Sequence, residues 1–221
     1  MDQQVLMDPD ESGETFAMGG EPLCLEFVNT VSSRKGKTPH EWLSTYANLV
    51  AWARLAHLIS SDQAQALLRQ AECEPAAAES VWRRALALRD AFYRLISAHA
   101  ADQPMHPGDM QILNRELLAA NQHLQLLPQN GSCCTWCWSE DPTALDSFLW
   151  PVVRSAADLL SSPDLDRTGE CQNPTCGWLF LDTSKNHTRR WCDMTSCGNT
   201  AKARSFYRRK RQQKVRNPVH A

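Results

Sequence analysis

No stretch of this 221-residue chain approaches the roughly 18 uninterrupted apolar residues of a membrane helix. The first fourteen residues carry Asp2, Asp8, Asp10, Glu11 and Glu14 where a secretory signal would place basic and then apolar side chains. A cytoplasmic location with no membrane partner is expected. Enzyme signatures are as scarce. There is no Gly-x-Ser-x-Gly, no phosphate-binding loop and no dinucleotide fingerprint, and His40-Glu41 opens like a zinc-protease helix but meets Ser44 where the second histidine would stand. The seven histidines are dispersed. Hydrolytic and redox chemistry find no assembled set of residues, so the chain is expected not to be an enzyme unless the N-terminal region holds a site of unfamiliar design.

Acidic residues are nearly missing from the C-terminal end. Residues 185–221 hold eleven basic side chains against one acid, Asp193, a net of +10; the whole chain is −2, so residues 1–184 carry −12. Such a split marks a chain whose basic end meets a polyanion, and the overall balance hides it. From position 200 to about 213 the residues suit a helix, with Ala201, Ala203, Phe206 and Tyr207 placed to pack inward and Arg204, Arg208 and Arg211 repeating at i, i+4, i+7. A solvated basic tail is the competing reading.

Cysteine, by contrast, is plentiful, with nine residues. Four form two pairs, Cys171-x4-Cys176 and Cys192-x4-Cys197, fifteen residues apart. Two such loops turn their sulfurs onto one tetrahedral ion, the arrangement of a structural zinc site. Asn173-Pro174 supplies a turn in the first loop, and Gly177 and Gly198 follow the second cysteine of each pair, where positive φ is expected. A module of about 45 residues buries too little surface to fold alone, so the metal would take the place of a core. Disulfides and a ligand role for His187 are the alternatives; the first conflicts with the expected reducing compartment, and four thiols already complete the shell. With Arg189-Arg190 between the loops, nucleic-acid binding becomes the preferred reading of the basic end.

These residues resemble the CGNR zinc fingers found at the C-terminal end of bacterial transcription regulators. The likeness runs through Cys171-x4-Cys176-Gly177-Trp178-Leu179-Phe180-Leu181-Asp182, Ser184-Lys185-Asn186, Arg189-Arg190-Trp191-Cys192-x-Met194 and Cys197-Gly198-Asn199, with Thr200 in place of the arginine in the family name. Near the N-terminus, Gly20-x-x-Leu23-Cys24-Leu25-Glu26-Phe27-Val28-Asn29-Thr30 resembles the opening of the ABATE domain, which precedes that finger in known architectures and is held to sense stress or a ligand; Glu26 stands where Asp is expected. The resemblance implies a DNA-binding transcriptional regulator that holds zinc through Cys171, Cys176, Cys192 and Cys197. Its DNA contacts are expected from Arg189, Arg190, Asn199, Lys202, Arg204, Arg208, Arg209, Lys210 and Arg211, with Asn199 and Arg190 nominated for base reading. The rival is a finger that grips RNA or a protein.

Between the two ends the pattern is mainly α-helical. A polar, acidic leader at 1–15 precedes a helical domain at 16–163, and the finger with its basic helix occupies 164–221. The apolar run 20–31 allows either a strand or a short helix closed by Asn29. Polar Glu26 and Asn29 within it suit a pocket for a small-molecule effector, or Asn29 caps a turn. Amphipathic helices are expected at 39–59, from the Ser61-Asp62 cap to 71, from Pro75 to about 101, at 109–121 and at 142–162, the last bent at Pro151. In the helix from Pro75, Val81, Leu88, Phe92, Leu95 and Ile96 face inward and Arg83, Arg84, Arg89, Asp90 and Arg94 face water. Asn130-Gly131 between two alternating runs signals a β-hairpin. On its second strand Cys134 and Cys137 point to opposite faces, which favours packing over a redox pair. The boundary falls at 161–164. Oligomeric state, a homodimer included, is left open by the sequence.

Overall fold

The computed structural model describes residues 18–129, 133–139 and 144–216; the acidic leader and the Asn130-Gly131 turn lie outside the described residues. The apolar run becomes a short helix, α1 (Leu23–Val28), ended at Asn29. Strand β1 (Val31–Ser32) follows and pairs antiparallel with β2 (His40–Glu41). Because β2 takes residues 40–41, the helix expected from 39 starts only at α2 (Tyr46–Leu55), where the Thr45 hydroxyl accepts the Asn48 amide. Trp42 and Leu43 are buried from the loop before it.

Local signals set the next three helices. Ser60, one residue before the expected cap, forms a reciprocal capping box with Gln63 and opens α3 (Ser61–Cys73). Helices α4 (Pro75–Ala100) and α5 (Pro107–Asn121) each begin with proline, whose missing N–H would have had no intrahelical partner there. The expected hairpin is present as β3 (Leu124–Gln129) and β4 (Cys133–Trp138), in register from Leu124–Trp138 to Gln129–Cys133. Of the pair expected to pack, Cys134 is exposed, as is Cys133, and Cys137 is half-buried. Helix α6 (Leu149–Leu160) corrects the expected bend. Pro151 sits in its first turn, where no hydrogen bond is lost.

The chain does not loosen at 161–164. A 3-10 turn, Pro163–Arg167, buries Leu165 and leads into β5 (Thr168–Glu170), which pairs antiparallel with β6 (Leu179–Leu181). Gly169 is needed there because a Cβ would lie 2.8 Å from the Phe180 ring. Leu179, wholly buried, joins the same core as Leu25, Phe27, Trp52, Phe92, Leu95, Phe148 and Val152. The β5–β6 hairpin therefore folds on the helical body, and the metal need not supply all of the core for this part of the finger.

One expected surface residue is inside. Arg89 is 2 % exposed and binds both carboxylate oxygens of Glu41 at 2.6 and 2.7 Å and the Thr30 hydroxyl at 3.2 Å, as a buried guanidinium must. Arg34 beside it donates to the Val28 carbonyl and to Asp90 and lies over the Tyr93 ring. Burial, helped by Glu170, pushes the Tyr93 hydroxyl up to about 12. Lys35 continues the series, pairing with Glu170 at 2.5 Å while its amide donates to the Thr175 carbonyl. Through these residues the polar loop at 32–38 ties α4 to the first cysteine loop. No helix among the described residues is long and apolar enough to cross a membrane.

Candidate metal centre and basic helix

The first knuckle grows from the end of β5. The Cys171 amide donates to the Trp178 carbonyl, the Cys176 amide to the Asn173 carbonyl, and Gly177 takes φ +76, which no residue with a Cβ adopts cheaply. The second knuckle is a single wide helical turn, Met194–Gly198, capped by Asp193. One carboxylate oxygen of Asp193 accepts from the Thr195 hydroxyl at 2.6 Å and from the Ser196 amide at 2.7 Å, and this bonding, Thr195 first, holds its carboxyl below the usual range. Gly198 belongs to that turn and not to a positive-φ corner; a Cβ there would press on Met194 Sδ at 2.9 Å.

These loops bring the sulfurs of Cys171, Cys176, Cys192 and Cys197 within 4.8 Å of one another. Cys176 Sγ to Cys192 Sγ is 3.6 Å and Cys192 Sγ to Cys197 Sγ is 3.7 Å. A tetrahedron with metal–sulfur bonds of about 2.3 Å has edges of roughly 3.8 Å, so donor type, number and spacing all fit a four-thiolate metal site. As free thiols Cys171, Cys176 and Cys192 work against one another. Hydrogen bonds from Cys176 and Cys192 pull the Cys171 thiol down, and its sulfur then holds the Cys176 and Cys192 protons on. A divalent ion removes the conflict by taking all four as thiolates. His187 is exposed and outside the cluster.

A short polar chain connects the sulfurs to the basic helix α7 (Asn199–Arg216). Arg204 Nη1 donates to Asn173 Oδ1 at 3.1 Å, and Asn173 Nδ2 donates to Cys197 Sγ at 3.3 Å. Amide bonding to a ligand sulfur stabilises the thiolate and orients it.

A family model of the CGNR zinc finger matches residues 167–210. The ABATE model, described as "Putative stress-induced transcription regulator", matches residues 21–163, well over half of the chain. The chain belongs to the ABATE family and carries a CGNR finger. No curated protein matches it. The two families are a regulator and a zinc finger, not enzyme families.

Within the CGNR finger the expected contact residues are not equivalent. Arg189 is turned inward. Its guanidinium donates to the carbonyls of Leu181, Trp191 and Cys192, pairs with Glu21 at 2.7 Å and lies 4.6 Å over the Phe180 ring. Its backbone amide meets Asp182, whose carboxyl is held low chiefly by hydrogen bonding to Ser184. Arg189, nominated from sequence for a DNA contact, is half-buried and has its guanidinium nitrogens engaged within the protein, where it is a strut. Arg189→Ala, leaving three carbonyls and Glu21 short of a donor, is expected to lower stability by about 2–3 kcal/mol in melting of the zinc-loaded protein. The salt dependence of any DNA binding should not move.

The remaining candidates lie outside. Arg190 is exposed and donates to Gln172 Oε1 at 2.7 Å, and Asn199 donates to the Thr195 carbonyl, so both have partners within the finger. Lys202, Arg204, Arg208, Arg209, Lys210 and Arg211 are exposed along α7. The inward packing expected of Phe206 and Tyr207 is not seen; Ala201, Arg204, Ser205 and Arg208 bound the space between α7 and Asn173, Pro174 and Trp191.

Glu26 and Asn29 of the ABATE region line a cavity of about 450 Å³ whose far wall includes Cys176, Cys192 and Cys197. Asn29, 3 % exposed, bonds both backbone groups of Leu179, Nδ2 to the carbonyl and the amide to Oδ1, each at 2.9 Å. It is neither a side-chain cap nor a free ligand donor but a substitute strand partner for β6. Glu26 accepts the Glu21 amide, and Glu21 in turn accepts the Leu181 amide. Glu21 carries no sequence signal that would single it out. The contacts of Asn173 are equally hidden, whereas Asp193 three residues before Ser196 is a readable cap.

Proposed function

We propose that this protein is a DNA-binding transcriptional regulator in which zinc, held by Cys171, Cys176, Cys192 and Cys197, fixes α7 against the cysteine loops so that Lys202, Arg204, Arg208, Arg209, Lys210 and Arg211 face a phosphate backbone. The observation that carries the reading is the Arg204–Asn173–Cys197 chain, which couples an acid-free basic helix to the metal shell. Arginine and lysine neutralise phosphates and release counterions, the source of sequence-independent affinity. Arg190 adds one exposed cation beside the second knuckle.

The test is binding of the zinc-loaded chain to duplex DNA over a range of salt. A log–log slope of about −0.9 per phosphate contact is expected, and Arg209→Ala with Lys210→Ala should reduce the slope by roughly 1 for each phosphate no longer neutralised while the protein melts as before. Binding that ignores salt, or that prefers RNA or a protein partner, overturns the reading. The cavity between α1 and the thiol shell supports a second element: a small molecule held by Glu26 there touches both parts at once and would change how the finger is presented.

A further inference from the structure

Phe206 and Tyr207 are 58 % and 68 % exposed on α7, with ring centroids 5.7 Å apart and planes at 74°. Exposed rings on an otherwise strongly polar helix need a partner. Helical spacing puts Lys202 and Arg209 beside Phe206, and Lys210 and Arg211 beside Tyr207, while no acid occurs after Asp193. Charge complementarity therefore requires an occupant that is polyanionic and also offers apolar surface next to its charge. Duplex DNA meets both conditions in the major groove, where the apolar group on a base edge is the thymine C5 methyl. A helix about 10–12 Å across its side chains fits that groove, about 12 Å wide, and not the minor groove of about 6 Å. Asn199 and Arg190, the polar residues nominated for base reading, are already bonded to Thr195 and Gln172.

We infer that Phe206 and Tyr207 are the base-reading pair of α7, set by the flanking cations onto thymine methyls in the major groove. The inference rests on the DNA-binding reading above and adds the chemistry of its specificity. Phosphate contacts place the helix, and the rings distinguish a thymine-bearing sequence from others.

The experiment uses the full zinc-loaded chain and a duplex selected by it from random sequences, compared with a scrambled duplex. Phe206→Ala with Tyr207→Ala is expected to cut the preference for the selected duplex about tenfold or more, the size of one or two mismatched base pairs, while the salt slope, zinc content and melting temperature stay unchanged. Replacing the site's thymines by uracil removes only the methyls. It should weaken the parent chain several-fold and leave the double variant unaffected. Equal preference in both proteins, an equal uracil effect, selection that yields no preferred sequence, or a variant that changes oligomeric state because the rings pair with a second copy would each overturn the inference. A parent chain that does not bind duplex DNA at all fails the underlying reading instead.

Discussion

Cys192→Ser is expected to abolish stoichiometric zinc binding and to lower DNA affinity at fixed salt by at least a hundredfold, while most helical signal survives. A structural zinc site contributes on the order of 10–16 kcal/mol of binding free energy that is also folding free energy. Loss of one thiolate leaves three sulfurs, one short of a closed tetrahedral shell. The segment it would release, the second knuckle and α7, has little apolar burial to fall back on: Met194, Phe206 and Tyr207 are exposed, and among its described residues Cys197 and Gly198 are the buried ones. The body and β5–β6 do have a core, through Leu165, Leu179 and Phe180. Local unfolding, not global unfolding, is the outcome. Metal analysis, far-UV dichroism and binding anisotropy on the same preparation check it. Cys73→Ser, at an exposed thiol outside the cluster, is the control and should change none of them. Retained affinity in the Cys192 variant would contradict the account.

Asn29→Leu is expected to destabilise the protein strongly, although it lies outside the thiol cluster. It keeps the branching at Cγ in a larger, apolar side chain but strips two hydrogen bonds from the Leu179 backbone, leaving a buried amide and carbonyl unpaired at about 1–3 kcal/mol each. A loss of roughly 2–5 kcal/mol corresponds to a fall of about 5–15 °C in melting temperature for a chain of this size. Asn29→Asp retains the acceptor for the Leu179 amide but sets a carboxylate oxygen against the Leu179 carbonyl, so at neutral pH it should cost as much. Hydrogen exchange should rise first at Leu179 and Leu181. A melting temperature within a degree or two of the parent chain would show that the link between α1 and β6 is incidental.

What could be read from the residues alone follows from how local each determinant is. Thiol spacing, the proline start of α4, the Asn130-Gly131 hairpin signal and the charge split are patterns of neighbouring residues, and the described helices and the thiol cluster follow them, although α5 starts at Pro107, two residues before the expected Asp109. Asn29 meets Leu179 across 150 positions, and Arg189 meets Glu21 across 168; no periodicity encodes such pairings. Arg189 is read from sequence as one more cation of a basic tract because its partners are backbone carbonyls, which every residue has. Phe206 and Tyr207 look like core residues by type, yet α7 crosses the knuckles on the side of Ala201 and Ser205, where small side chains allow close approach. Arg89 fails as a surface residue for the opposite reason: Glu41 reaches it from a two-residue strand and Thr30 from the link between α1 and β1, both too short to be anticipated.

The most direct test is a titration of zinc into the metal-free 221-residue chain, with DNA affinity followed at each point. One zinc per chain, four thiols protected from reagent over the same range, and DNA affinity that rises to its plateau at that equivalence are the results predicted. DNA binding at full strength before zinc is added, or a metal uptake that leaves those four thiols reactive, would contradict the claim that the thiolate-held ion sets the basic helix in place.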